Sequence, residues 1–238
     1  SVRLYTSGGD ALGAETLKGW QELTGKPIWE GLGGTEMLHL VTSNTMNPEP
    51  VPDSIGKPLP GVEVRVIDEE GNDCKPNEVG SMILKGASGT LYWKPYIDDE
   101  RLLKSQKKGV VDGWNQMGDA VFFKEDGNIC FVSREDDMIK SSGYRIGPAE
   151  VEEAIEKHPA VAEAGVVGIP DPDKGAITKA FVVMKEGQEG SEEFFEELKE
   201  FLKEHIAIYK LPRAIEFRES LPRTPTGKLL RRHLRPPK

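Results

Sequence analysis

A polar, glycine-containing stretch at 133–148 divides this chain and constrains its folding more than any other feature. It reads SREDDMIKSSGYRIGP and contains no apolar periodicity long enough to build a core element. Short β-type patterns precede the stretch, and an α+β pattern follows it. We therefore predict two domains, a larger one at residues 1–136 and a smaller one at residues 137–238.

The first segment has a β–α–β order. Residues 2–5 and 27–29 predict short strands, and residues 13–24 predict a helix between them. Three apolar side chains at helical spacing define the expected buried face of that helix: Leu17, Trp20 and Leu23. This order predicts an α/β layer with parallel strands up to about residue 51.

Residues ~52–135 show a different pattern, in which short runs alternate between polar and apolar side chains. In GVEVRVID, Val62, Val64 and Val66 share one face of a strand, and Glu63 and Arg65 share the other. GSMILKG and GNICFV are two further strands between Gly or Asn turns. The fold class is therefore an α/β remnant plus a small antiparallel β region of the large domain, followed by a separate α+β C-terminal domain.

The C-terminal domain is marked by helix-start signals. Pro148 stands at an expected first helical position, and Ser191 stands at an expected N-cap. The apolar faces of the two helices comprise Val151, Ala154 and Ile155, and then Phe194, Phe195, Leu198, Phe201 and Leu202. VAEAGVVGI and KAFVVMK predict strands between the helices, and the chain ends in the basic tail KLLRRHLRPPK.

Composition excludes several classes of protein. The formal net charge of −9 argues against a nucleic-acid partner, which requires a basic face. No apolar run is long enough for a transmembrane helix, and the opening residues lack a signal-peptide core. The two cysteines, Cys74 and Cys130, fit no metal or disulfide spacing, so a reduced, cytoplasmic compartment is predicted.

Two glycine-bearing motifs of the first predicted domain are candidate ligand sites. In GLGGTEM (31–37), glycines after a strand admit a ligand close to the backbone, Thr35 offers a hydroxyl, and Glu36 offers the hard oxygen that Mg²⁺ prefers. In DGWNQMGDA (112–120), the Asp119 carboxylate can accept both hydroxyls of a ribose. The alternatives are a β-turn with a solvated Glu36 and an Asx turn that opens the next strand.

Two later motifs combine charge with turns. The stretch 134–152, REDDMIKSSGYRIGPAEVE, suits either a hinge at the domain junction or a surface hairpin with weak salt bridges. Its charges of alternating sign are those of Arg134, Asp136, Asp137, Lys140 and Arg145. In LPRTPTGKLLRR (221–232), a turn presents Lys228, which can meet a phosphate as a point charge or belong to an exposed basic tail.

The remaining polar candidates are weaker. The four histidines, at positions 39, 158, 205 and 233, are not at metal-ligand spacing. His39 follows GLGGTEM closely enough to line a pocket, although a packed or solvated ring is the simpler explanation.

The four motifs occur in an order that resembles the adenylate-forming superfamily of acyl- and aryl-CoA synthetases, adenylation domains and luciferases. That order is a GxTE-like motif, GD after GW, RxDDxIKxxGxRIxPxEVE, and PRTxTGKxxR, and the resemblance covers the whole chain. The early segment SGGDALGAETLKGW…GLGGTEMLHLVTSN looks most like benzoate-type aryl-CoA ligases.

The resemblance implies a role for each motif. Thr35, Glu36 and Lys228 would be catalytic: the first two would contact ATP phosphate and Mg²⁺, and Lys228 would touch the α-phosphate and carboxylate oxygens. Residues 1–136 would be the C-terminal part of the large AMP-binding domain, residues 137–238 would be a small mobile C-terminal domain, and Asp136 would be the hinge between them. His39 would lie near the wall of the acyl pocket. Further contacts would come from Gly8, Gly9 and Asp10 beside adenine, Gly33 and Gly34 in the GxTE-like motif, Asp119 and Arg134 at the ribose, and Ser142, Gly143 and Tyr144 along the pantetheine path.

The function implied by the resemblance is that of an acid–thiol ligase. The chain would be the C-terminal portion of an AMP-forming carboxylate–CoA ligase that uses ATP, Mg²⁺ and coenzyme A on an aromatic or medium-chain carboxylic acid. Residues 1–30 lack the phosphate-gripping loop expected before GLGGTEM, so we predict a missing N-terminal part of the same enzyme and weak or no catalysis by this chain alone. The alternatives are an adenylation-only enzyme that loads a carrier protein and a non-catalytic half that pairs with a separate N-terminal chain. Formation of a homodimer stays open.

Overall fold

The computed structural model describes residues 2–9, 12, 14–34, 39–86, 110–111 and 113–236. The chain divides into two compact units, Ser1–Glu135 and Asp136–Lys238, one residue before the boundary expected from the sequence. Each sheet and each apolar core described below belongs to one unit.

The first unit begins with a mixed sheet. In chain order its elements are β1 (Tyr5–Gly8), α1 (Ala14–Thr24), β2 (Ile28–Gly34), β3 (His39–Ser43) and β4 (Lys57–Pro58). The order in the sheet is β1-β2-β3-β4, with β1 and β2 parallel and the other pairs antiparallel. The β–α–β unit with parallel strands that the sequence predicts is confirmed.

Three details of that prediction are wrong. The first strand lies at Tyr5–Gly8 rather than at residues 2–5. Leu23 is 82% exposed, so it does not belong to the buried face of α1. The second strand continues through Gly34, and the glycines placed after it are inside it. Glycine has no Cβ, which lets β2 run unusually close to β3, and a pattern of apolar side chains cannot report that.

The second sheet is antiparallel, as predicted. Its strands are β5 (Val62–Ile67), β6 (Gly80–Gly86), β7 (Val110–Val111), β8 (Trp114–Phe123) and β9 (Ile129–Arg134). The long strand β8 pairs with β6, β7 and β9. Seven buried apolar side chains form the core of this unit: Val41, Ile55, Val66, Met82, Leu84, Val121 and Ile129. Because Gly118 and Asp119 lie inside β8, the alternative of an Asx turn before that strand is wrong.

The second unit is an α+β domain. Its elements are the hairpin β10 (Ile139–Ser141) and β11 (Tyr144–Ile146), then α2 (Pro148–Glu156), β12 (Val161–Asp171), β13 (Gly175–Met184), α3 (Glu192–Lys203) and β14 (Ala214–Phe217). Strand β13 pairs antiparallel with β12 and parallel with β14. Pro148 opens α2, and Ser191 caps α3 by accepting a 3.1 Å hydrogen bond from the Phe194 N–H, as predicted.

The apolar faces of α2 and α3 share one core with the hairpin and the sheet of this unit. Its fully buried members include Ile139, Ile146, Val151, Ile155, Val182, Leu198 and Leu202. A short 3₁₀ helix at Arg231–His233 follows the turn that contains Lys228. Among the described residues, every helix is too short or too polar to cross a bilayer.

Candidate functional site

The glycines of β2 allow β3 to approach closely. A Cβ built on Gly31 would lie 2.7 Å from the carbonyl oxygen of Thr42, and one on Gly33 would lie closer still to the carbonyl of His39. Gly34 faces His39 where the two strands diverge. Gly31 and Gly33 therefore serve the pairing of β2 with β3.

The backbone beyond β1 is bonded to a half-buried carboxylate. Gly8 closes the strand, and Gly9 has a φ of +104°, a region that favours glycine. The Leu12 N–H donates a 2.9 Å hydrogen bond to Glu30 Oε1 on β2. Burial raises the pKa of the Glu30 carboxyl, the Leu12 amide opposes this rise, and the negative charge of Asp53 adds to it. The sequence analysis did not select Glu30, although an acidic residue inside a strand was a signal.

Asp119 and Arg134 form an ion pair across neighbouring strands. They face each other in the register of β8 and β9, and Arg134 Nη1 donates to Asp119 Oδ1 at 2.8 Å. The same Nη1 donates to the Met117 carbonyl at 2.8 Å. The Asp119 side chain is 6% exposed and that of Arg134 is 53% exposed, so a buried carboxylate is held by a guanidinium at the surface.

Gly118 makes room for this pair. Its φ is +71°, and a Cβ there would lie 2.9 Å from Arg134 Nη2. The strand register shifts beside it, between Ala120 and Val121. Glycine before Asp119 is therefore required twice, by the backbone conformation and by the guanidinium.

Of four other predicted site residues of the first unit, the structure describes one. His39 is exposed at the start of β3, and its Nδ1 contacts the Leu40 carbonyl. Three lie outside the described residues: Asp10, Thr35 and Glu36.

In the second unit, the hairpin tip is rigidly built. Ser142 (φ +48°) and Gly143 (φ +83°) form the turn between β10 and β11. The Ser142 N–H donates a 2.9 Å hydrogen bond to the Lys174 carbonyl, which fastens the tip to the β12–β13 turn. Tyr144 is 51% exposed and stacks on Tyr209, with ring centroids 4.2 Å apart. The surface-hairpin alternative is thus correct for the local structure, and it does not conflict with a role for the tip.

Lys228 lies in a closed turn. The Thr224 N–H donates to the Lys228 carbonyl at 2.8 Å, and the Lys228 N–H donates to Thr224 Oγ1 at 3.0 Å. Gly227, with a φ of +92°, donates to the Thr224 carbonyl at 2.9 Å. The backbone at Lys228 is therefore fixed, while its side chain is exposed.

The start of the second unit is tied to the end of the chain. Arg235 Nη2 donates to the Asp136 carbonyl at 2.8 Å and to Asp137 Oδ1 at 2.6 Å. A cleft of about 400 Å³ opens beside these groups. It is lined by residues 136–140, Gly168, Gly175, Ala176 and Arg235.

Three side chains of this region escaped the sequence analysis: Glu152, Arg231 and Arg235. Glu152 and Arg231 pair through both guanidinium nitrogens that face the carboxylate. The interpretation of the tail as exposed and basic therefore holds for the Lys228 side chain and fails for Arg231 and Arg235. A signal was available, because two of the four motif patterns end on Glu152 and Arg231.

Within the part of the chain that the structure describes, no group of three or more His, Cys, Asp or Glu side chains is arranged to hold a metal ion. Cys74 and Cys130 are both free thiols, and burial raises the pKa of Cys130.

Solved structures share this fold. A benzoate CoA ligase from Burkholderia xenovorans LB400 superposes with a TM-score of 0.81 at 37% identity over 99% of this chain and 46% of that chain. The anthranilate CoA ligase AuaEII, solved in complex with anthranoyl-AMP, gives a TM-score of 0.83 at 35% identity over 98% of this chain and 44% of that chain. The fold is thus that of the C-terminal portion of adenylate-forming enzymes.

Family models and curated relatives agree with the structures. The model for the AMP-binding enzyme matches residues 1–92, and the model for the AMP-binding enzyme C-terminal domain matches residues 150–228. Acetyl-coenzyme A synthetase from Bacillus subtilis is 37% identical over 99% of this chain, and 4-hydroxybutyrate–CoA ligase 1 from Metallosphaera sedula is 39% identical over 98% of it. The chain belongs to the AMP-binding, adenylate-forming enzyme family, and it spans 41% of the length of both relatives.

Proposed function

We propose that this chain is the C-terminal portion of an AMP-forming carboxylate–CoA ligase. In the first half-reaction a carboxylate oxygen attacks the α-phosphorus of ATP, which forms an acyl-adenylate and releases pyrophosphate. In the second, the sulfur of coenzyme A attacks the acyl carbon and AMP leaves. The observation that carries the proposal is the Asp119–Arg134 pair, because it joins two separate sequence motifs into one preorganised anionic acceptor.

The first unit would bind the nucleotide. The Asp119 carboxylate has oxygen lone pairs to accept both ribose hydroxyls, and Arg134 holds it in one orientation. The end of β1, with Gly8, Gly9 and Asp10, would run beside adenine. Support for a nucleotide here comes from relatives whose structures contain ATP or an acyl-adenylate.

The GxTE-like motif would face the phosphates. Thr35 and Glu36 would contact them at the end that Gly33 and Gly34 lead to, and the Glu36 carboxylate is the hard oxygen ligand that Mg²⁺ prefers. The ion, when bound, supplies positive charge against the phosphate oxygens. His39, exposed on the next strand, would border the acyl group.

The second unit would supply the mobile groups. The Lys228 ammonium would neutralise the charge that develops when the carboxylate and the α-phosphate meet. The tip Ser142–Gly143–Tyr144 would line the path of pantetheine to the acyl carbon. One site that must receive two reagents in turn can be served by a domain that rotates on a hinge, and Asp136 stands at the start of this unit.

Two alternatives are kept, and each has its own measurable property. An adenylation-only enzyme would form the acyl-adenylate and pass it to a carrier protein, so its turnover would not require coenzyme A. A non-catalytic half would bind a separate N-terminal chain, and size-exclusion chromatography of this chain alone would then reveal association through the uncovered face. The cytoplasm is the compartment we propose, although several relatives carry "mitochondrial" in their names.

The decisive test is carboxylate-dependent ATP–pyrophosphate exchange with benzoate and with short- and medium-chain acids. We expect this chain alone to be silent. Joined to the N-terminal part of the Bacillus subtilis acetyl-coenzyme A synthetase, it should support exchange, and Lys228→Ala should reduce the exchange rate about 10²-fold or more. Exchange by the chain alone would overturn its dependence on an N-terminal part, and an unaffected Lys228→Ala variant would overturn the role of the lysine.

A second test needs no fusion protein. AMP titrated into this chain should bind more weakly to Asp119→Asn than to the unchanged chain, because an amide replaces one acceptor oxygen with a donor. Glu125→Gln serves as the matched control, since Glu125 is an exposed carboxylate of the β8–β9 turn. Equal weakening by both variants would remove Asp119 from the nucleotide site.

A further inference from the structure

The segment that bears Lys228 is anchored by a partly buried ion pair, whose arginine lies three residues downstream. Arg231 Nε donates to Glu152 Oε1 at 3.0 Å, and its Nη2 donates to Glu152 Oε2 at 2.5 Å. The paired geometry fixes the guanidinium plane as well as its position. Arg231 Nη1 also lies 3.6 Å from Asp137 Oδ2 at the start of the unit.

Glu152 is a rigid acceptor. It lies on α2, it is 8% exposed, and its Oε1 also accepts a 2.8 Å hydrogen bond from the Val166 N–H on β12. One carboxylate therefore joins the helix, the sheet and the C-terminal segment. The buried carboxylate cannot shift without leaving one of its three donors unpaired, and breaking such a pair costs far more than breaking a surface ion pair.

An apolar contact fastens the same segment from its other side. A Cβ built on Gly165 of β12 would lie 2.9 Å from the Leu234 side chain and 3.2 Å from those of Leu221 and Leu229. The absence of a side chain at Gly165 is what lets these leucines, two of them buried, settle on the strand. The Lys228 turn thus projects from a base that is clamped by leucines and by Arg231.

Arg235 completes the connection. It binds the Asp136 carbonyl and the Asp137 carboxylate, so Asp137 receives two arginines from the C-terminal segment. The residues at the start of the unit and the turn that carries Lys228 are therefore parts of one hydrogen-bonded assembly.

We propose that Glu152 and Arg231 are positioning residues for Lys228. They preorganise the turn so that the ammonium is delivered at a fixed place relative to the start of the unit, rather than sampling many positions on a loose tail. The proposal rests on the proposed role of Lys228 in adenylation, and it is tested separately from that role.

Amide hydrogen exchange of the full chain is the direct test, because it needs no turnover. The reporters are the Thr224, Gly227 and Lys228 amides, which bond only within the turn, and the Arg213 and Arg218 amides, which bond to β13. We expect Arg231→Gln to accelerate exchange at the turn at least tenfold while the Arg213 and Arg218 amides stay within twofold. Arg231→Lys, which keeps the charge and can still bond Glu152 singly, should restore part of the protection.

Arg232→Gln is the matched control, since Arg232 is the adjacent exposed arginine and carries the same charge. It should leave all five amides unchanged. Unchanged exchange at the turn in Arg231→Gln would overturn the proposal. So would equal acceleration of all five amides in both Arg231 variants, because the pair would then stabilise the whole unit and not the turn.

Failure of the proposed function looks different. If Lys228→Ala leaves ATP–pyrophosphate exchange intact while Arg231→Gln still loosens the turn, Lys228 loses its role and the anchoring by Glu152 and Arg231 stands.

Discussion

At the scale of single residues, the candidate nucleotide site depends on a glycine that has no functional group and matters through its backbone conformation and its lack of a side chain. Gly118 precedes the Asp119 carboxylate, has a φ of +71°, and leaves only 2.9 Å between a would-be Cβ and the Arg134 guanidinium. The acceptor and its holder were both expected from the motifs. The room that Gly118 leaves for the Arg134 guanidinium was not expected, because it depends on the pairing register of β8 and β9.

Replacing Gly118 by alanine distinguishes the cost of backbone strain from an effect on AMP binding. Gly118→Ala should cost about 1–2 kcal/mol from the left-handed conformation alone, and it should also displace Arg134 and weaken AMP binding. Gly113→Ala is the matched control, since Gly113 has a φ of +81° and nothing within 4 Å of a Cβ. Urea denaturation should show similar losses for both variants, whereas AMP titration should respond only to Gly118→Ala. Equal AMP affinities would contradict the spacing argument.

A second residue-scale prediction concerns pH. Burial raises the pKa of Glu156 above 4.5, its bond from the Ala164 N–H opposes the rise, and the negative charge of Glu152 adds to it. The folded state therefore holds this proton more tightly than the unfolded chain does. Its contribution to stability is fully present near and below pH 4.5 and is lost as the pH rises through the raised folded pKa.

Glu156→Gln removes that proton while keeping a carbonyl oxygen to accept from Ala164. We expect the free energy of unfolding of the unchanged chain, relative to that of Glu156→Gln, to fall as the pH rises from 4.5 to neutral. Urea denaturation of the two proteins at several pH values measures this difference, in which the other carboxylates cancel. A difference that does not vary with pH would contradict it.

At the scale of elements, local patterns predicted those elements whose packing is local. Helices α2 and α3 begin at Pro148 and Ser191 as expected, because helix starts are encoded by the residues at the start itself. Strand β5 was predicted from its alternating valines. The extent of β2 was not, because Gly31 and Gly33 lie in the strand as partners of Ser43 and Leu40 on β3, and a local pattern does not report such pairing.

The glycines of the first unit provide an element-scale prediction. Gly31→Ala would set a Cβ 2.7 Å from the Thr42 carbonyl and force β2 from β3, so we expect a loss of about 1–3 kcal/mol in unfolding free energy. Gly19→Ala is the control inside α1, where a Cβ meets nothing within 4 Å. Alanine is the better helix former, so that variant should gain about 1 kcal/mol. Urea denaturation of both variants checks the signs, and equal signs would contradict the close approach of the two strands.

The contact between Glu152 and Arg231 could not be predicted from the sequence. The pair formed by Glu152 and Arg231 spans 79 positions, and its partners were seen only as the last letters of two motifs. Arg134 and Asp119 were expected together because the resemblance placed both at a ribose. The sequence alone suggested no role for Glu152, and its burial and its bonds from Arg231 are what indicate one.

At the scale of the whole molecule, each core belongs to one unit. The cluster around Val41, Met82 and Ile129 lies in Ser1–Glu135, and the clusters around Val151 and Phe181 lie in Asp136–Lys238. A unit with its own core and sheet satisfies the condition for independent folding. The two units are therefore expected to unfold in separate transitions rather than in one.

The last prediction concerns the second unit in isolation. Residues 136–238 produced alone should fold cooperatively and show the same amide exchange for β12 and β13 as in the full chain. Residues 148–238 provide the contrast, since that fragment lacks the β10–β11 hairpin and with it Ile139 and Ile146, which are 2% and 0% exposed in the core. Losing a buried isoleucine side chain costs about 2–5 kcal/mol, so losing two approaches the whole stability of an ordinary domain, about 5–15 kcal/mol.

Thermal unfolding followed by circular dichroism distinguishes the outcomes. A cooperative transition for 136–238 and a lost or strongly lowered one for 148–238 would make the hairpin part of the fold of the second unit. The tip at Ser142–Gly143 and the turn at Lys228 would then be carried by one rigid body, as a hinge at Asp136 requires. If 148–238 folded as stably as 136–238, the hairpin would be an appendage, and the tip could move independently of Lys228.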